Sequence, residues 1–98
     1  MKSKFIIHPG SYLREDILEY NQISVTKAAE LLGITRVNLS NIINEKTNIS
    51  ANMAIRISKV FGGTADIWLK LQMQYDLLNE QNNFEMNKVQ LKKFESVL

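Results

Sequence analysis

The residues best suited to chemistry lie between Thr35 and Lys46, and the chemistry they suit is hydrogen bonding to flat polar edges, with no bond made or broken. With Leu39 and Ile42 taken as buried, a helical step of about 100° per residue puts Val37, Asn41 and Asn44 near the centre of the opposite face. Asn38 and Ser40 flank that face, and Arg36 stands at its N-terminal end. A guanidinium fork matches guanine O6 and N7, a carboxamide matches the adenine edge, and a valine can meet a thymine methyl. Arg36 is therefore the first choice for base reading, with Asn38, Asn41 and Val37 beside it. Thr26, Lys27, Thr35, Asn44 and Lys46 bracket the face with hydroxyl, amide and ammonium groups that suit phosphates, which fix register without reading sequence. No acidic residue falls from Arg36 to Asn44; Glu30 and Glu45 lie just outside. Each group also has a plainer use: Thr35 as a helix cap, the asparagines as solvated surface, Asn44 as a helix stop.

Such a face needs a scaffold, and the stretch Ser24–Asn44 supplies one. Ser24 and Thr35 are spaced as N-caps of two short helices, Val25–Leu32 and Arg36–Ile43. Gly33 between them can take the positive φ of a sharp interhelical turn, and Ala29 presents only a methyl where two helices must approach closely. Ala28, Leu32, Ile34, Leu39 and Ile42 complete the facing apolar sides. This is the pattern of a helix-turn-helix, whose second helix reads DNA. Helices this short cannot stand alone, so the motif has to belong to a larger bundle.

The flanks provide the other helices. Pro9 and Gly10 punctuate the start of a first helix with the stripe Tyr12, Leu13, Ile17 and Leu18. Glu15, Asp16 and Glu19 lie mostly off that stripe and read as a solvated face; His8 reads as a local cap or packing group. Ser50 opens a fourth helix carrying Met53, Ala54, Ile57, Val60 and Phe61, which Gly62 and Gly63 stop. Arg56 and Lys59 on it read as solvated or salt-bridged. Thr64 is placed to cap a fifth helix, with Asp66 in its first turn. That helix has two apolar stripes: Trp68, Leu71, Tyr75 and Leu78 can pack on the bundle, while Leu69, Met73 and Leu77 are left to meet a partner. The polar run Asn79–Asn83 breaks the pattern. Beyond it, Met86, Val89, Phe94 and Val97 fit either a last short helix over Phe84–Leu98 or a frayed tail.

Ninety-eight residues, 45% hydrophobic, suit one small domain whose modest stability a partner subunit would raise. The expected division is a helix-turn-helix domain over residues 1–80, with its motif at 24–44, and a C-terminal extension over 81–98. A formal charge of +2 permits nucleic-acid binding without arguing for it. The absence of cysteine removes disulfides, thiol chemistry and Cys-based metal sites. One histidine makes no metal motif, and no nucleophile, base and orienting group come together, so neither enzyme nor cofactor is expected. Lys2 and Lys4 precede an apolar run too short for a signal peptide, and no segment has transmembrane length. The expectation is an unprocessed cytoplasmic protein without membrane contact.

Ala29, Gly33, Ile34, Leu39 and Ile42 resemble the lambda-repressor-like (XRE) helix-turn-helix class. The flanks narrow the likeness: His8-Pro9-Gly10, Leu13-Arg14-Glu15, Ser40-Asn41-Ile42-Ile43-Asn44, Ile49-Ser50, Met53-Ala54-Ile55-Arg56 and Trp68-Leu69-Lys70-Leu71-Gln72 before Tyr75-Asp76-Leu77. Together they resemble HigA-type antitoxins over about His8–Leu78. The resemblance implies an all-α, five-helix DNA-binding bundle that dimerises through its C-terminal part. It further implies repression of its own operon at a palindrome and neutralisation of a RelE-like ribonuclease toxin. By carry-over, Arg36, Val37 and Asn41 match the base-reading positions, and Thr35 and Asn44 the backbone contacts. Two departures stand out. Relatives often carry Gln where this chain has Val25, and Gly where it has Glu45. Two other readings remain open at this point: a stand-alone transcriptional regulator, and an interaction module that does not bind DNA.

Overall fold

Three hydroxyl caps and one left-handed glycine set the course of the chain. In the computed structural model, which describes residues 7–95, α1 begins as Pro9–Tyr12 and passes directly into a π-helical stretch, Leu13–Glu19. It is followed by α2 (Val25–Leu32), α3 (Arg36–Ile43), α4 (Ala51–Phe61) and α5 (Ala65–Asn87). The architecture is all-α, with no strand among the described residues. Ser24, Thr35 and Ser50 accept from the backbone N–H three residues on, at 3.0, 3.0 and 3.1 Å, and so satisfy donors that the starts of α2, α3 and α4 would leave orphaned. Gly33 takes φ 70°, ψ 33°, and the Ile34 N–H donates to the Ala29 carbonyl, closing α2 before the chain turns into α3.

The core gathers Leu13 and Leu18, Ala28, Ala29 and Leu32 of α2, Leu39, Ile42 and Ile43 of α3, Ile49, Met53, Ala54 and Ile57, and Trp68 of α5. The first helix is wider than its apolar spacing predicts. From Leu13 it is π-helical, as the Tyr20 N–H to Glu15 carbonyl bond of 3.1 Å shows. That widening lets Leu13 and Leu18, five residues apart, both enter the core.

The start of α1 explains the run His8-Pro9-Gly10 residue by residue. His8 is buried, and its Nδ1 accepts from the Gly10 N–H at 2.9 Å as the cap of α1. Pro9 takes a first-turn position where no N–H is needed. Gly10 lies so close to the end of α3 that a Cβ there would stand 1.9 Å from the Ile42 carbonyl oxygen. Across the other side, the His8 ring meets Tyr75 of α5 edge-on, with centroids 4.8 Å apart. The expected local cap is thus also the point where α1, α3 and α5 meet.

Helix α5 departs from expectation in three ways. Thr64 sits at its N-cap but makes no capping bond; instead, its hydroxyl beside Asp66 holds that carboxyl below the usual carboxylate range. The polar run Asn79–Asn83 does not break the helix, because Asn and Gln lower helix propensity by only a few tenths of a kcal/mol each and do not block the backbone. Among the described residues there is no separate last helix. Phe84 and Met86 belong to α5, which ends where Lys88 turns left-handed at φ 51°; Val89 and Phe94 lie in irregular chain, and Val97 is outside the described residues.

Candidate nucleic-acid interface

Helix α3 presents an exposed, mostly polar face where the spacing predicts one. Leu39 and Ile42 are buried, while Arg36, Val37 and Asn38 are exposed at the N-terminal end. Val37 stands out: an aliphatic side chain 68% exposed in the middle of a polar face has no packing role in the protomer. Asn41 is half-buried beside them. Its backbone carbonyl accepts from the Lys46 and Thr47 N–H groups, which folds the following loop back onto α3. Thr26, Lys27 and Lys46 are exposed around the face.

The groups expected at phosphates differ in how free they are. Thr35 Oγ1 accepts from the Asn38 N–H, which leaves its own hydroxyl proton available to an outside acceptor, so cap and contact are compatible. Lys27 pairs with Glu30 at 3.2 Å on the open surface, a bond weak enough to exchange for another anion. Asn44 turns inward on its own helix: Nδ2 donates to the Ser40 carbonyl at 2.9 Å and to Ser40 Oγ at 3.2 Å. In this arrangement it acts as a helix stop, and a phosphate would have to draw the amide away.

Both departures from the family pattern have structural accommodations. Val25 is half-buried against the core, so an apolar packing contact stands where the resemblance led one to expect a Gln. Glu45 adopts φ 63°, the left-handed conformation that glycine takes most easily. The chain therefore turns after α3 as if the glycine were present, and the carboxylate is exposed at the edge of the face.

Two positioning side chains are invisible to periodicity. Arg56, expected to be solvated or salt-bridged, is half-buried and makes none of the described ion pairs. Its Nη1 donates to the carbonyls of Leu32 at 2.8 Å and Gly33 at 3.2 Å, and its Nε donates to Asn52 Oδ1 at 2.7 Å. Gln72 of α5 is buried; Oε1 accepts from the Ile49 N–H at 2.7 Å and Nε2 donates to Asp76 at 3.0 Å. Only the resemblance pointed to these two positions, through Met53-Ala54-Ile55-Arg56 and Trp68-Leu69-Lys70-Leu71-Gln72, and it gave neither a role.

On the far side of α5, Leu69, Met73 and Leu77 are exposed and line an open groove with Gln72, Asp76 and Glu80. The first stripe behaves as expected near its start, where Trp68 is buried and Leu71 and Tyr75 half-buried, but Leu78 is exposed. No helix among the described residues is long and apolar enough to cross a membrane, and no cluster of metal-ligating side chains occurs among them.

The fold and this face define a class. A helix-turn-helix family profile matches residues 17–68. Virulence-associated protein I of Dichelobacter nodosus is 37% identical over 82 residues, covering 83% of this chain and 76% of that protein. Antitoxin HigA-1 of Vibrio cholerae is 32% identical over 76 residues, covering 78% and 71%. Among solved structures, the Pseudomonas aeruginosa antitoxin HigA with the higBA promoter superposes with a TM-score of 0.81 at 31% identity, covering 95% of this chain and 99% of that one. The chain belongs to the lambda-repressor-like helix-turn-helix family and, within it, to the HigA-type group. The family is one of DNA-binding regulators and antitoxins, not of enzymes.

Proposed function

We propose that this protein is the antitoxin of a type II toxin–antitoxin system, a cytoplasmic homodimer that represses its own operon and neutralises a RelE-like ribonuclease toxin. The observation that carries the reading is the exposed, acid-free face of α3, which ends in Arg36 and Val37, in a chain 31% identical to a HigA solved with promoter DNA. Arg36, Val37, Asn38 and Asn41 read base edges; Thr35, Thr26, Lys27 and Lys46 hold phosphates, and Asn44 joins them once its amide is released from Ser40. The Leu69, Met73 and Leu77 stripe joins two copies and sets two α3 helices on half-sites about 34 Å apart, one turn of a palindromic duplex.

Co-expression with the neighbouring reading frame tests the whole reading. The expected result is rescue of growth, co-purification of the two products, and a shift of the operon's own promoter that weakens steeply with salt as phosphate contacts release counterions. A promoter shift without a co-purifying toxin supports the stand-alone regulator, and a bound partner without any shift supports the interaction module. Leu77→Asp should give a folded monomer with weakened operator binding; a variant that stays dimeric contradicts the assigned stripe.

A further inference from the structure

Helix α3 is held near its C-terminal end by α1, where Gly10 lies against the Ile42 carbonyl; Gln72 binds the Ile49 N–H further along, at the entry to α4. Its N-terminal end, the end that carries Arg36, is preceded by only three residues, Gly33 to Thr35. A long-range side-chain bond to that turn comes from α4, beside the packing of Ile34 on the core and the Thr35 cap. The Arg56 guanidinium bridges the Leu32 and Gly33 carbonyls, placing a positive charge at the negative pole of α2. It is itself held one turn back by Asn52. The described ion pairs join Arg14 to Glu15 and Glu19, Lys27 to Glu30, and Lys70 to Asp66, so this guanidinium is committed to backbone and amide oxygens and to no carboxylate. Even the glycine is fitted to it: a Cβ on Gly33 would stand 3.1 Å from Nη1.

We propose that Arg56 is a positioning residue for DNA reading, a clamp between α4 and the turn that sets where the N-terminal end of α3 stands. This rests on the assignment of α3 as the reading helix. The lever is direct. Eight residues of helix are about 12 Å long, so with the far end held, a tilt of about 10° carries Arg36 roughly 2 Å, more than a hydrogen bond tolerates. The cost in stability is small by comparison, because the Gly33 carbonyl bond is exposed and the Leu32 one only partly buried, and water can replace the lost donors.

Arg56→Met, which keeps an unbranched apolar stem, separates positioning from both a phosphate contact and a general loss of fold. Helical circular dichroism and the melting curve report that the protein is folded. The expected result is about a tenfold loss of affinity for the operon's own promoter, within the range of a lost bidentate base contact. Affinity for random-sequence duplex and the salt slope should stay unchanged. Arg56→Lys, which can still donate to both carbonyls, should recover most of the promoter affinity. In the DNA-free protein, amide exchange at Gly33 and Ile34 should quicken in Arg56→Met while that of α5 does not. Equal losses on promoter and random duplex with a slope lower by about one would make Arg56 a phosphate contact and overturn the proposal. Unchanged exchange at the turn would overturn it as well, whether or not the protein binds DNA. Quickened exchange together with an absent promoter preference in the wild type would leave the clamp standing and remove the reading role of α3.

Discussion

Helix α3 has eight residues and is fixed from several sides, whereas α5 has twenty-three and carries no buried side chain after Gln72. The short helix is capped by Thr35, pressed at its end by Gly10, and led in by a turn that Arg56 holds. The long one leaves Leu77, Leu78, Phe84 and Met86 exposed and continues on its own backbone bonds. Under the proposed function the difference matches two tasks. A helix that reads base edges has to be placed to a fraction of an ångström, while one that offers an apolar stripe to a second copy needs only to be straight and available. The long-range bonds of Arg56 and Gln72 fall on the turn before α3 and on the loop after it.

This contrast can be broken at measurable points. The largest expected effect is at Gly10→Ala, where the new methyl would overlap the Ile42 carbonyl and force two helices apart. Backbone cannot rotate out of the way as a side chain can, so chemical denaturation should show a loss of more than about 2 kcal/mol. A near-neutral result would mean that α1 does not press on α3. Thr35→Ala removes one capping acceptor and should cost about 1 kcal/mol, read from the same denaturation midpoint. Smallest is Phe84→Ala in the Leu77→Asp background, where the distal half of α5 has no partner. A change within about 0.5 kcal/mol is expected for an exposed side chain. A loss of 1 kcal/mol or more would show that the distal turns are packed and that the contrast is false.

The parts of this fold that were legible in the sequence are those decided within a few residues. Ser24, Thr35 and Ser50 cap their helices because a hydroxyl three residues ahead of an orphaned N–H is a local matter, and Gly33 turns left-handed for the same reason. The alternation of buried Leu39 and Ile42 with exposed Arg36, Val37 and Asn38 followed from helical geometry alone. Contacts between residues far apart in the chain were not legible. Arg56 reaches 24 residues back to Leu32, and Gln72 reaches 23 back to Ile49; in a periodicity count both are merely polar residues on amphipathic helices. The break expected at Asn79–Asn83 failed because loss of an apolar stripe marks loss of burial, not the end of a helix. The roles of His8, Pro9 and Gly10 were half legible. Proline and glycine announce a helix start, but the reason for that glycine lies on the carbonyl of Ile42.

The central claim is that α3 reads sequence through Arg36, and competition binding on a set of promoter duplexes, each altered at one base pair, tests it most directly. Wild-type protein should discriminate at one guanine per half-site, and Arg36→Ala should lose about 1 to 3 kcal/mol of affinity together with discrimination at that position alone. Unchanged affinity and unchanged base preference in Arg36→Ala would contradict the account.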